Sequence, residues 1–322
     1  MSKSALRTGL VQQEQVTVDR SQRTKRPSLP EWFKIRPPTT SAFTRIKGEL
    51  ATTGLKTVCE EAHCPNLSEC WSGGTATYML LGDTCTRGCQ FCAVKTGNPH
   101  QEIDELEPWK LAQTIKKSGL DYVVLTMVAR DDLEDGGAAH LAKCIRAIHQ
   151  TTPQVLVEIL ISDLRGKESS LAIVLESRPV VLAHNIETID RLTKFVRDGR
   201  ASYKQTLQVL ANAKKLVTEN ASLKKIYTKS SIMLGLGETE EEVIQTMKDL
   251  RSVGTDMLTL GQYLQPSSKH IELKEYVHPD QFARLEKIGL DLGFIYVASG
   301  PLVRSSYKAG ELFVKSQITH QR

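Results

Sequence analysis

The chain has 322 residues, of which 40% are apolar and 25% charged, the balance of an ordinary globular protein long enough for one large α/β core. Its net charge of +5, from 42 basic and 37 acidic residues, is mild and argues against a nucleic-acid-binding protein. No apolar run approaches the roughly 20 residues needed to cross a bilayer, which argues against a membrane protein.

Residues 1–26 are polar, include Glu14 and Asp19 among their basic residues, and lack the apolar core of a secretory signal. They read as a flexible tail whose Arg20, Arg23, Lys25 and Arg26 form a solvated arm; an Arg-rich organellar targeting segment is the other reading of the same stretch. Residues 27–75 form an N-terminal extension, Pro-rich from Pro27 to Pro38, with Cys59, Cys64 and Cys70 in a loop that also holds Pro65 and Gly73-Gly74. A short apolar run, Tyr78 to Leu81, gives the first strand and stops at Gly82. Directly after it comes Cys85-Thr86-Arg87-Gly88-Cys89-Gln90-Phe91-Cys92, a loop at the C-terminal end of that strand.

Further strands are predicted over 121–128, 154–161, 179–183, 227–234, 256–263 and 294–298, with helical apolar spacing over 137–149, 202–218 and 240–253. This alternation implies βα units and a mainly parallel sheet. The expected architecture is a partial (β/α) barrel of about six to seven parallel strands over 76–300, with residues 301–322 as a C-terminal segment closing the site. Chemistry in such barrels sits at the C-terminal strand ends, where the second cysteine loop falls.

Six of the seven cysteines lie in two triplets: Cys59, Cys64, Cys70 with four and five residues between, and Cys85, Cys89, Cys92 with three and two. Three thiolates suit a cubane iron–sulfur cluster with one iron left open, the mark of a metal centre that does chemistry. Structural zinc would prefer Cys-x2-Cys pairs adding up to four ligands; only Cys89 and Cys92 have that spacing, and His63 is the one nearby histidine. Disulfides would need an oxidising compartment and an even count, and inert buried thiols do not bunch in this way. The free thiols fit a reduced, cytoplasmic compartment. Cys144 has helical spacing with Leu141, Ile145 and Ile148 and reads as core packing.

The second triplet, with Phe91 before its last cysteine, resembles the signature of the radical S-adenosylmethionine superfamily. The first triplet, the run Arg304-Ser305-Ser306-Tyr307, and the phrases at 128–137, 184–188, 233–239 and 261–267 resemble the lipoyl synthase family, over residues 28–315. That resemblance implies two four-iron four-sulfur (4Fe-4S) clusters. The one on Cys85, Cys89 and Cys92 would chelate S-adenosylmethionine through its open iron and reduce it to a 5′-deoxyadenosyl radical. The auxiliary one on Cys59, Cys64 and Cys70, with Ser306 as fourth ligand, would supply sulfur. The implied reaction is a sulfur transfer to C6 and C8 of an octanoyl group held on a carrier lysine. Those carbons are unactivated, so no general base can serve and a carbon radical must remove the hydrogen.

Implied partners are octanoylated lipoyl-carrier domains (the glycine cleavage H protein, the E2 subunits of 2-oxoacid dehydrogenases) and an electron donor such as ferredoxin or flavodoxin. Ser306, a hard oxygen in a thiolate site, would leave iron readily; read without the family phrase, Ser305 and Ser306 are turn residues near Gly300-Pro301. Glu158, Asn185, Gly235 and Gly237 are placed to reach S-adenosylmethionine from strand ends, the two glycines serving equally as a strand-to-helix turn ahead of Glu238–Glu242. Arg130, Asp131, Asp132 and Asp135 follow the second strand and either touch cofactor or carrier or form a solvated loop. Two other functions compete: another sulfur-inserting enzyme of the superfamily, and a non-catalytic iron–sulfur electron carrier. The upstream triplet with Arg304–Tyr307 argues against the former, and the size of the chain and the three-cysteine groups against the latter.

Overall fold

The computed structural model describes residues 28–33, 40–62, 64–72, 75–223 and 225–306. The basic arm, His63, Gly73-Gly74 and Tyr307 lie outside the described residues. The chain divides into two units, Met1–Glu31 and Trp32–Arg322. Of the first, only residues 28–31 are described, and they carry no helix or strand.

The second unit runs α1 (Ser41–Thr53), β1 (Lys56–Thr57), α2 (Val58–Glu61), α3 (Leu67–Ser72), β2 (Thr77–Leu80), β3 (Thr84–Cys85), β4 (Lys95–Thr96), α4 (Glu107–Ser118), β5 (Tyr122–Met127), α5 (Ala138–Thr151), β6 (Leu156–Leu160), α6 (Glu168–Glu176), β7 (Val181–Ala183), α7 (Asp190–Val196), α8 (Tyr203–Glu219), β8 (Tyr227–Leu234), α9 (Glu240–Ser252), β9 (Met257–Gln262), α10 (Pro279–Asp291) and β10 (Tyr296–Gly300). Eight strands form one sheet in the order β1-β2-β5-β6-β7-β8-β9-β10, parallel throughout except where β1 joins β2. Seven parallel strands with helical crossovers and unjoined end strands are the partial barrel expected. The strand expected at 227–234 has those bounds; the last is displaced from 294–298 to Tyr296–Gly300.

Both faces of the sheet are covered, so the strands are almost continuously buried, polar residues such as Thr228–Ser231 of β8 included. Val123, Leu125, Val157, Ile159 and Leu182 face outward into the core shared with α4, α5 and α6, and Leu258 and Leu260 into that with α9 and α10. The alternate residues Tyr122, Val124, Val181 and Met257 meet inside the barrel. Helix starts follow local chemistry: Thr239 and Glu242 form a capping box at α9, the Ser202 side chain accepts from Gln205 N at α8, and Pro279 opens α10.

Inside the barrel, Lys229 on β8 places Nζ 2.5 Å from Glu158 Oε1 on β6, and the Tyr122 hydroxyl donates to Glu158 Oε2 at 2.6 Å. Both charged side chains are essentially shielded from water (1% and 2% exposed), so each depends on the other. Lys229→Met alone should therefore destabilise the fold by roughly 3–5 kcal/mol, whereas Lys229→Met with Glu158→Leu should be near neutral. Urea unfolding of the two variants checks this.

Candidate metal and cofactor centre

Cys85 ends β3, and the parallel pairing Thr84↔Lys95, Cys85↔Thr96 folds the loop 86–94 back over the mouth of the barrel. Thr86 N donates to the Ala129 carbonyl beyond β5, Gln90 N to the Val196 carbonyl at the end of α7, and Ile271 N to the Gln90 carbonyl, each at 2.9 Å. His270 adds a ring nitrogen 3.1 Å from the Cys92 carbonyl, its other nitrogen lying 2.8 Å from Ser267 Oγ. Backbone N–H groups point at the sulfurs: Arg87 N and Ala129 N at Cys85 Sγ (3.4 and 3.3 Å), Asp198 N at Cys89 Sγ (3.3 Å).

All three thiols are free. Burial pushes Cys92 up to about 12 and also raises Cys89, each partly relieved by a backbone N–H. Left alone these thiols stay neutral, and a bound cation is what would hold them as thiolates. Soft donors aimed together, with N–H groups ready to stabilise negative sulfur, fit an iron–sulfur cluster.

A charged lattice fixes this loop. Arg87, 8% exposed, forks onto Asp131 (Nε–Oδ2 2.9 Å, Nη2–Oδ1 2.8 Å) and onto Asp163 (Nη1–Oδ2 2.7 Å, Nη2–Oδ1 2.6 Å). Planar bidentate pairing of this kind suits arginine and not lysine. Thr86 Oγ1 donates to Asp131 at 2.7 Å, Gly88 N to Asp198 at 2.8 Å, and Arg200 bridges Asp198 and the Thr86 carbonyl. The acidic run after β5 is thus tied into the framework around the cysteine loop. Asp131 holds the cysteine loop, Asp132 holds Arg130 at 2.8 Å, and Asp135 accepts from Gly137 N and Ala139 N to start α5.

Beyond β7, Asn185 is buried and its Oδ1 has no protein partner, while its side chain hydrogen-bonds Glu187. Burial raises the Glu187 carboxyl, opposed by the Arg197 guanidinium; both charges act on Cys89. Arg197 is itself buried and donates to Thr206 Oγ1 at 2.7 Å. A half-buried acid, a buried base and an orphaned amide oxygen beside the cysteine loop bring charges of both signs together there. Sequence reasoning named Asn185 but missed Glu187 and Arg197, although Glu187 stands in the phrase His184–Thr188.

Glu158 lies in mid-strand, opposite Val124 and Val181, with both oxygens engaged by Lys229 and Tyr122. Gly235 has φ +99°, and a Cβ there would collide with the Gln262 amide, so glycine is required on both counts. Gly237, at φ +98°, has only Lys274 Cγ within reach of such a Cβ, at 3.6 Å, and Glu238 closes the turn by accepting from Gly235 N and Leu236 N.

The first triplet is not one loop. Cys59 is on α2 and Cys70 on α3, with Cys64 between them; Cys64 N donates to the Cys59 carbonyl at 3.0 Å and Cys70 N to the Asn66 carbonyl at 2.8 Å. These helices are a few residues long, below what local periodicity reveals. Burial pushes Cys59 up to about 11. The C-terminal segment comes to the same place. Asn66 Nδ2 donates to the Leu302 carbonyl, and the half-buried Arg304 guanidinium lies beside Cys64. Arg304 Nη1 is also anchored on the Gln262 and Val303 carbonyls at 3.1 and 2.8 Å. Gly261 makes this approach possible, since a Cβ there would strike the Val303 carbonyl. Ser306 follows two residues after Arg304 and is half-buried.

Comparison with known proteins agrees with this arrangement. The family model described as Radical SAM superfamily matches residues 79–250, and that described as the N-terminal domain of lipoyl synthase matches residues 5–64. The chain is 51% identical over 289 residues to a lipoyl synthase of Ectopseudomonas mendocina, covering 90% of this chain and 81% of the relative. It is 51% identical to one of Myxococcus xanthus (91% and 96% covered) and 54% identical to a protein of Aedes aegypti named "Lipoyl synthase, mitochondrial" (91% and 74%). Among solved structures, methylornithine synthase superposes with a TM-score of 0.52 at 14% identity, covering 81% of this chain and 79% of that one. Streptococcus suis SuiB does so with a TM-score of 0.53 at 11% identity, covering 80% and 52%. At such identities these two likenesses speak for the fold alone. Half identity over nine-tenths of the length, with both signature regions matched, means that the chain belongs to the lipoyl synthase family of the radical S-adenosylmethionine superfamily.

Proposed function

We propose that the two cysteine triplets are two centres with separate tasks in one sulfur-transfer reaction. Family membership makes the chain an enzyme, a sulfurtransferase acting on a lipoyl-carrier protein, with a 4Fe-4S cluster and S-adenosylmethionine. The finer reading assigns that cluster to Cys85, Cys89 and Cys92, and an auxiliary 4Fe-4S cluster to Cys59, Cys64, Cys70 and Ser306. When bound, the first group supplies an electron for making a carbon radical and the second supplies sulfide.

The chain's own residues do the rest. Arg87, Asp131, Asp163 and Asp198 hold the cysteine loop against the barrel mouth. Asn185, Glu187 and Arg197 offer charges of both signs to the amino and carboxylate groups of S-adenosylmethionine, with the Gly237 turn at the rim. Of the four residues expected to touch it, Asn185 and Gly237 are kept and Glu158 and Gly235 are not. Arg304 fixes the C-terminal segment on Cys64 and offsets negative charge there. The hydrogen bond from Asn66 to the Leu302 carbonyl is the single observation carrying the two-centre reading, because it brings the C-terminal segment to the first triplet and not the second.

Octanoylated glycine cleavage H protein and 2-oxoacid dehydrogenase E2 domains are the proposed substrates, and a ferredoxin or flavodoxin the electron donor. Among the described residues no helix is long and apolar enough to cross a membrane. A thiol-reducing compartment is proposed, the cytoplasm first. The relatives named mitochondrial give the Arg-containing tail a targeting role as the second reading.

Ser306 tests the auxiliary centre. Alanine there opens a coordination position, and cysteine ligates iron more tightly than a hydroxyl oxygen. Both variants should keep near-normal iron on the three remaining cysteines and lose most product formation, the first by loosening the cluster and the second by holding iron that must be released. Full product from either, measured by mass spectrometry of an octanoyl-lysyl peptide, returns Ser306 to a turn residue.

A further inference from the structure

The connection between β2 and the radical-cluster loop contains a strained residue. Leu81 has φ +68°, in the left-handed region, and Gly82 follows at φ +92°. Glycine adopts that conformation freely, whereas a leucine there costs about 1–2 kcal/mol and persists only when its surroundings enforce it. Cys85 lies four residues further on, so the direction taken at Leu81 sets where its sulfur is delivered.

Both flanks of Leu81 are held by buried charged groups. Its N–H donates to Glu107 Oε2 at 3.0 Å, and the same oxygen lies 2.7 Å from His140 Nε2. Its carbonyl accepts from Arg130 Nη1 at 3.2 Å, and Arg130 is fixed in turn by the Glu102 carbonyl at 2.9 Å and by Asp132. Glu107 is 7% exposed, His140 4% and Arg130 1%. The Leu81 side chain fills the space above Gly137, where a Cβ would collide with its Cδ1. Cys144 Sγ also approaches Glu107 and His140, within 4.8 Å. That trio makes a poor metal cradle, because Glu107 Oε2 already serves two partners, the Leu81 N–H and His140 Nε2.

We propose that Glu107, steadied by His140, and Arg130 are positioning residues for the radical cluster: they hold Leu81 in its left-handed conformation and so deliver Cys85 to the cluster. The inference rests on assigning the second triplet to that cluster. It separates two roles that look alike, since a merely structural group would disturb both clusters, whereas this clamp acts on one.

The test is anaerobic reconstitution of the full chain, read by iron content and by the electron paramagnetic resonance signal that changes when S-adenosylmethionine is added. Glu107→Leu keeps bulk and removes the acceptor. Iron should fall from about eight toward about four per chain, and the responsive signal should drop roughly five- to tenfold, the equivalent of the strain released. Glu107→Gln keeps an acceptor oxygen and should retain both clusters. Leu81→Ile touches neither hydrogen bond but puts a β-branched residue where φ is positive, and should reproduce the Glu107→Leu loss. The proposal is overturned if Glu107→Leu and Leu81→Ile keep the responsive signal, or if they lose both clusters in equal proportion. Absence of that signal from the native chain would overturn the cluster assignment and this inference with it.

Discussion

Replacing Cys85, Cys89 and Cys92 together by alanine should abolish cleavage of S-adenosylmethionine while leaving one four-iron cluster per chain. The three sulfurs share one loop, and Arg87 N, Ala129 N and Asp198 N are aimed at two of them. Removing all three takes away every soft donor of that loop, and the hydrogen bonds of Arg87 to Asp131 and Asp163 preserve the backbone around it. The measurement is 5′-deoxyadenosine released under dithionite by the triple variant. Continued release would mean that the electron reaches S-adenosylmethionine from elsewhere, and the role given to this triplet would be wrong.

Replacing Cys59, Cys64 and Cys70 by alanine should do the reverse. Cleavage of S-adenosylmethionine should persist, because the radical loop is anchored on Ala129, Val196 and Ile271 and not on the first triplet. Sulfur insertion should vanish. Without Cys64, Arg304 keeps its bonds to the Gln262 and Val303 carbonyls but loses its neighbour in the first triplet, so the C-terminal segment should loosen as well. Faster limited proteolysis after Arg304 in the triple variant would report that loosening. An unchanged rate would mean that the segment is held independently of the triplet.

The barrel was legible in the sequence because its signal is local. β5 reads as a run of Tyr, Val, Leu and Thr with strand preference, and α9 announces itself by Thr239 and Glu242 three positions apart. The cysteine triplets were legible for the same reason. What stayed hidden is non-local. Arg87 meets Asp163 across 76 positions, and Lys229 meets Glu158 across 71, pairings that no window of periodicity contains. For Glu158, expected as a cofactor contact, the sequence did not show that Lys229 and Tyr122 engage its carboxylate inside the barrel. No pattern in the sequence singles out Arg197; the fold buries it, which lowers its pKa, and sets it near Glu187 and Cys89. The acidic run after β5 reads in sequence as either a contact to cofactor or carrier or a solvated loop. What the sequence did not show is that Asp131 and Asp132 are held below the ordinary carboxylate range by hydrogen bonds from Arg87 and Arg130 that outweigh partial burial.

The division of labour between the centres is tested most directly by tracing sulfur. The auxiliary cluster is rebuilt with heavy-isotope sulfide, and the enzyme is incubated anaerobically with dithionite, S-adenosylmethionine and an octanoyl-lysyl peptide. Mass spectrometry of the product should then show two heavy sulfurs, at C6 and C8, with no more than one product per chain before the cluster is replaced. Product carrying only light sulfur, or many turnovers without cluster repair, would contradict the account and point to an external sulfur donor.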